Sequence, residues 1–207
     1  MRRLALFGSG GHAKVLVDLA QKKGVPAVAC FDDEKKRWNC PVGNLRVLGG
    51  REEYLKWESR AGPAESLCAL GDNPARRDLF RWLEKHGAVA QALVHPHACL
   101  GGGVTLGVGS VVMAGVVINP DTRVGKNTIL NTRCSVDHDC EIGDHCHLGP
   151  GSTLCGGVSV GEGALLGAGC VVLPGEKIPP GVIVPAGAVV RKGFASWRRH
   201  QPRPSPR

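Results

Sequence analysis

Hydrophobic positions across residues 94–190 recur with a period of six. A branched aliphatic stands at Val94 and at every sixth residue after it, through Val112, Val136 and Leu154 to Val190, seventeen in succession. Four residues after each lies a second register of small or slim side chains, among them Ser110, Thr122, Thr128, Cys134 and Cys170, with Glu176 its one charged member. A period of six fits neither a helix nor an ordinary strand, and self-similarity at a fixed period marks a solenoid. Each hexad then supplies one short strand and one corner, and three hexads close a triangular coil. Both registers point inward, and about five coils at strand spacing make a prism on the order of 25 Å tall. Glycine follows the aliphatic at Gly101, Gly107, Gly125, Gly143, Gly149, Gly161 and Gly167, which predicts tight corners at those positions.

The chain before this stretch has a different pattern. Residues 3–8 read as a buried strand, 12–24 as an amphipathic helix stopped by Gly24, and 26–33 as a strand ending in Asp32 and Asp33. A loop is expected over 34–45 and a short extended piece over 47–50. A helix over 51–57 and a strand over 66–71 follow, then a helix over 74–87 capped at Asp72 with Pro74 behind it. Residues 88–96 read as a last strand leading into the coil. The order β-α-β-α-β-α-β implies a small Rossmann-like parallel sheet. The predicted domains are therefore 1–93, a Rossmann-like α/β domain; 94–190, the β-helix; and 191–207, a basic, Pro-rich tail.

Composition narrows the partners. The net charge is +8, but Arg191, Lys192, Arg198, Arg199, Arg203 and Arg207 supply +6 of it with no acid among them, leaving a body of +2. A basic, Pro-rich tail is more often a solvated segment than a binding surface, which argues against nucleic acid as a partner. No apolar run is long enough to span a membrane, and the apolar stretch after Arg3 is too short for a signal peptide, so a cytoplasmic protein is expected. The nine cysteines include no CxxC, and four occupy the small inward register, where Cys packs as a compact apolar residue of a reduced protein.

Two stretches carry candidate chemistry. Gly8, Ser9, Gly10, Gly11 and His12 lie between the first strand and first helix, where backbone N–H groups can cradle phosphate; a structural tight turn reads equally well. Asp32 and Asp33 end the second strand, where dinucleotide folds keep a ribose-binding acid. On the coil the hexad frame never breaks, so a catalytic base has to sit on the coil itself. Three of the eight histidines crowd into VDHDCEIGDHCH, residues 136–147. Val136 and Cys140 point inward in this frame, so His138 projects outward, and Asp139 beside it can orient an imidazole. His147 also lies outside the inward registers. One coil beyond His138 falls Gly156, whose missing side chain admits close approach of a ligand and whose N–H can serve an oxyanion. Solvent-facing loop histidines are the plainer alternative. His138, His145 and His147 occupy different registers and cannot converge on zinc, so no metal is expected.

The pattern [LIV]-[GAED]-x-x-[STAV]-x resembles the hexapeptide-repeat acyltransferases, whose domain is a left-handed parallel β-helix. GSGGHAKV, FDD, GDN and NTRCSVDHDCEIGDHCHLGPG together resemble the NeuD-type sialic acid O-acyltransferase family, which includes the bacillosamine and perosamine N-acetyltransferases. That resemblance implies His138 as general base and Asp139 as its partner. It implies acetyl-CoA as co-substrate, contacted by His147, the Gly156 amide, Ala168 and Asn131. Gly8 to His12 would hold a nucleotide-sugar's phosphates, and Asp32 and Asp33 its base or ribose. It also implies a homotrimer with acetyl-CoA in the groove between coils. The last coil departs from the family's G-x-P-A-[KR] ending, running IVPAGAVVRKGF, so tail arginines are expected to meet the CoA phosphates. The expected activity is N-acetylation of the 4-amino group of a UDP- or GDP-linked deoxysugar. O-acetylation of sialic acid and a non-catalytic solenoid are the rivals.

Overall fold

The computed structural model describes residues 3–195 and 197–199. The chain divides into two compact units, one ending at Pro96 and one beginning at His97.

In the first unit, β1 (Leu4–Phe7) lies between β2 (Ala27–Phe31) and β5 (Glu65–Cys68), all parallel. α1 (Gly11–Lys22), α2 (Arg51–Ala61) and α3 (Asn73–Lys85) connect and cover them. Seven of the nine aromatic residues fall in this unit. Phe7, Phe31 and Tyr54 form its centre, with ring centroids 5.0–5.4 Å apart. Asp72 caps α3 as its sequence signature predicts, accepting from the Ala75 N–H at 3.0 Å.

Two expectations change here. The expected loop over 34–45 carries a 3₁₀ turn (Lys35–Arg37) and a small antiparallel hairpin, β3 (Pro41–Val42) with β4 (Leu45–Arg46), turning at Gly43 with φ 59°. The expected fourth strand, 88–96, adds only a single parallel bridge, Val89 to Ser66, before the chain leaves the sheet edge at exposed Gln91. The sheet therefore has three strands.

The second unit is the parallel β-helix the hexads imply. Its first side stacks Cys99–Leu100, Val117–Ile118, Ser135–Val136, Thr153–Leu154, Val171–Val172 and Val189–Val190. The second side stacks Thr105–Leu106, Arg123–Val124, Glu141–Ile142, Ser159–Val160 and Lys177–Ile178. The third runs from Val111–Val112 through Ile129–Leu130, His147–Leu148 and Leu165–Leu166 to Val182–Val184, where Arg198–Arg199 adds antiparallel. Every coil-to-coil pair is in register at a spacing of 18 residues, as in Ser135 against Thr153. From Val112 to Val190 each aliphatic of the period is buried.

The small register does more than fill space. Ser110, Thr122 and Thr128 each donate to a carbonyl fifteen residues ahead, on Gly125, Asp137 and Gly143, at 2.7–3.0 Å. Each also accepts the N–H eighteen residues ahead, at 2.9–3.2 Å. Cys140 and Cys146 make the same donation through sulfur, to Cys155 and Gly161. Inward Ser, Thr and Cys thus satisfy buried backbone groups from the next coil. Burial pushes the Cys134 thiol up to about 12 and Cys170 to about 11, so these thiols stay protonated. All nine cysteines are free thiols.

The glycines after the aliphatics do not make the corners. The corners turn three residues after each aliphatic, where an unbroken series of left-handed residues runs every sixth position from Gly103 to Gly193. From Gly115 to Gly187 each donates its N–H to a carbonyl in the coil beneath, as Gly157 does to His138 at 3.0 Å. Gly107 and Gly149 are glycine for another reason: a Cβ would lie 2.5 Å from the Gly125 carbonyl carbon or 2.6 Å from the Leu166 oxygen. They permit coils to stack closely, and the turn is made elsewhere.

Candidate active site

Five of the left-handed corner residues are not glycine: Asp121, Asn127, Arg133, Asp139 and His145. They are consecutive in the series, and Asp121 and Asp139 stand on the corner that carries His138. Asn, Asp and His tolerate this conformation best, and strained backbone of this kind gathers at functional sites.

His138 occupies the corner between the first and second sides. Its Nδ1 lies 2.7 Å from Asp139 Oδ2. An ionised carboxylate only accepts, so Nδ1 carries the proton and Nε2 presents a lone pair. The ring rests against Gly156 in the coil above, where a Cβ would stand 2.7 Å from both Cε1 and Nε2. Asp137, on the other flank, accepts the His138 backbone N–H at 2.9 Å and the Asn119 side-chain amide at 2.8 Å through one oxygen, Oδ1. The hydrogen bond to Asp139 and then the charge of Asp137 raise the His138 pKa above its ordinary value. Asp137 is itself held below the usual carboxylate range, chiefly by Asn119 and then by the His138 N–H. Neither Asp137 nor Asn119 was among the residues expected from sequence.

The other coil residues expected at the site fall elsewhere. His147 lies on the third side, and its Nε2 is 3.1 Å from the Asn131 side-chain amide. Asn131 opens the corner from the third side to the first, and exposed Ala168 lies along that same corner two coils on. Side chains added at Gly151, Gly169 and Gly187, beside this strip, would meet nothing within 4 Å. Within one chain, therefore, His138, Asp139 and Gly156 form one cluster, and His147, Asn131 and Ala168 another. A separate groove of about 580 Å³ on the second side, lined by Arg123, Glu141 and Lys177 among others, includes none of them.

In the first unit, the loops after β1, β2 and β5 leave the same edge of the parallel sheet, the usual place for a ligand in such folds. Gly8 has φ 109°, and a Cβ there would lie 2.8 Å from the Ala69 oxygen. Gly10 is the N-cap of α1 without a side-chain cap, and open space surrounds Gly10 and Gly11. Ser9 is buried and donates to Asp32 Oδ2 at 2.6 Å. Asp32 Oδ1 accepts the Glu34 N–H at 2.9 Å, so the carboxylate braces the loop. Asp33 accepts the Arg51 N–H at 3.0 Å and pairs with its guanidinium at 2.9 Å, tying β2 to the start of α2. His12, half-buried in the first turn of α1, completes this group.

Among the described residues no group of three or more His, Cys, Asp or Glu side chains could hold a metal ion. No described helix is long and apolar enough to cross a membrane. Arg203 and Arg207, expected near CoA, lie outside the described residues.

Residues 3–83 match the PglD N-terminal domain, 121–156 the bacterial transferase hexapeptide repeats, and 141–174 the hexapeptide repeat of succinyl-transferase. A UDP-N-acetylbacillosamine N-acetyltransferase of Bacillus subtilis is 34% identical over 127 residues, a stretch that is 55% of this chain and only 52% of that protein. The acetyltransferase domain of PglB from Neisseria gonorrhoeae superimposes with a TM-score of 0.84 at 30% identity, covering 95% of this chain and 94% of the other. A mutant perosamine N-acetyltransferase from Caulobacter crescentus, solved with CoA and GDP-perosamine, gives a TM-score of 0.86 at 40% identity over 92% of this chain and 89% of its own. With its PglD-type first unit, its hexapeptide coil and this likeness over nearly the whole length, the chain belongs to the family of bacillosamine and perosamine N-acetyltransferases.

Proposed function

We propose that the protein transfers an acetyl group from acetyl-CoA to the 4-amino group of a nucleotide-linked amino deoxysugar, in the cytoplasm. The observation that carries this reading is the His138–Asp139 pair, 2.7 Å apart, with the imidazole seated on Gly156 in a chain of this family. Nε2 takes the proton as the sugar nitrogen attacks the thioester carbonyl. The C–N bond forms, the C–S bond breaks, and CoA leaves as the thiol carrying that proton. The Gly156 amide steadies the oxyanion, while Asp139 holds the tautomer and stabilises the imidazolium.

The nucleotide's phosphates lie at the uncapped start of α1, over Gly10 and Gly11, with Gly8 and Ser9 shaping the loop and His12 beside it. Asp32 and Asp33 stand where the ribose or base is read. His147, Asn131 and Ala168 line the path of acetyl-CoA, whose thioester end must reach His138.

Within one chain those two clusters stand on different edges of the coil, so a second copy must bring them together. The first side also exposes Val117 and Val189 on its strands, with Ser135, Thr153 and Val171 stacked between them. A homotrimer, in which these faces are covered and the His138 corner of one copy meets the His147 edge of the next, accounts for both observations.

Thiol release from acetyl-CoA, measured in parallel with GDP-perosamine, a UDP-linked 4-amino sugar and free sialic acid, tests the reading. Turnover on either nucleotide sugar is the expected result. Turnover on sialic acid alone would contradict it and move the activity to the O-acetyltransferases.

A further inference from the structure

We propose that Asn119, from the coil beneath, is a positioning residue for the base: it grips Asp137 and so holds a second carboxylate against His138. The inference rests on His138 being the base, as argued above.

The corner carrying His138 is bolted to the corner below it. Asn119 donates its backbone N–H to Val136 at 2.9 Å and its side-chain amide to Asp137 Oδ1 at 2.8 Å. Thr122 Oγ1 donates to the Asp137 carbonyl at 2.8 Å, and the Asp139 N–H donates to the Pro120 carbonyl at 3.1 Å. Asp137 therefore has both its main chain and its carboxylate fixed from beneath. Its Oδ1 also accepts the His138 N–H at 2.9 Å, which sets the start of the side chain that Asp139 holds at its far end. Nδ1 already belongs to Asp139, so Asp137 acts on the imidazole through the backbone and through its charge.

Asn suits this place by its chemistry. A neutral amide donor steadies the carboxylate while leaving its charge intact, whereas an acid there would repel Asp137. The charged groups around His138 are few. Asp137 and Asp139 share its corner, Asp121 holds the corner position beneath Asp139, and the Cys155 and Cys140 thiols lie nearby. Of these, the two flanking aspartates act on the imidazole, Asp139 foremost. His138 is exposed, so water and salt screen Asp137, and its effect is smaller than that of the Asp139 hydrogen bond.

The test is a titration of the His138 ring by NMR in full-length protein carrying ¹³C-labelled histidine, with the resonance assigned through His138→Asn. Asp137→Asn, an isosteric change, is expected to lower the midpoint. Asn119→Ala is expected to lower it similarly, and the double variant no further than Asp137→Asn alone, because Asn119 acts through Asp137. Asn119→Asp is expected to raise it. Additive shifts, or midpoints that do not move, would overturn the proposal. The titration needs neither CoA nor an acceptor. Failure of thiol release with these shifts intact would therefore count against the proposed activity and leave this inference standing. In turnover, Asn119→Ala is expected to cut kcat about 3- to 10-fold with KM for both substrates unchanged, a small part of what loss of the base would cost.

Discussion

An imidazole must be neutral to accept a proton, and His138 is held above the ordinary histidine value by Asp139 and Asp137. The rate should therefore rise with pH along a single limb whose midpoint lies above 6.5, and fall as pH drops through that midpoint and the ring becomes charged. Asp139→Asn removes the largest cause of the shift, so the limb of kcat/KM should move to lower pH while the plateau falls. A limb that stays in place would mean that Asp139 does not set the base. Gly156→Ala probes the other contact. The added methyl meets the exposed end of the imidazole at 2.7 Å, which can swing away at little cost to folding. Thermal unfolding should stay within the ordinary scatter of surface changes, while kcat falls on the order of 10- to 100-fold through misplacement of the ring. Equal losses of stability and rate would point to a structural glycine.

At the scale of the element, the hexad is a local code, and that is why the coil could be read from sequence. An aliphatic every sixth residue has one way to be buried, and the observed 18-residue register follows from it. Adding 18 to His138 found Gly156 for the same reason. Subtracting 18 from Asp137 would have found Asn119, and the D-H-D sequence would have marked Asp137 itself. What the pattern hid was which glycine turns the corner. Gly149 and Gly151 are the same letter, yet one avoids a clash with Leu166 and the other supplies φ 65°. Only neighbouring coils distinguish them. The first unit was harder because its hairpin at 41–46 and its short sheet edge depend on contacts no periodicity encodes. Thr128 offers a test of the small register. Thr128→Val keeps the shape but removes the hydrogen bonds to the Gly143 carbonyl and from the Cys146 N–H, and should cost about 1–3 kcal/mol in denaturant unfolding. A neutral effect would show that space-filling alone selects these residues.

At the scale of the whole molecule, the account needs more than one copy of the chain. Val189→Asp places a charge at an exposed apolar position of the first side and should shift the mass in solution, by light scattering, from trimer toward monomer, with loss of turnover. A monomeric wild type with full activity would remove the shared site. Mixing His138→Ala with His147→Ala subunits should restore part of the activity that each lacks alone, since some mixed trimers then hold an intact pair of edges. The central claim is acetyl transfer by His138, and the kinetics of His138→Ala with acetyl-CoA and GDP-perosamine test it most directly. The predicted result is a fall in kcat on the order of 100-fold or more, the scale of a lost general base, with KM for both substrates little changed. Turnover by His138→Ala at the wild-type rate would contradict the account.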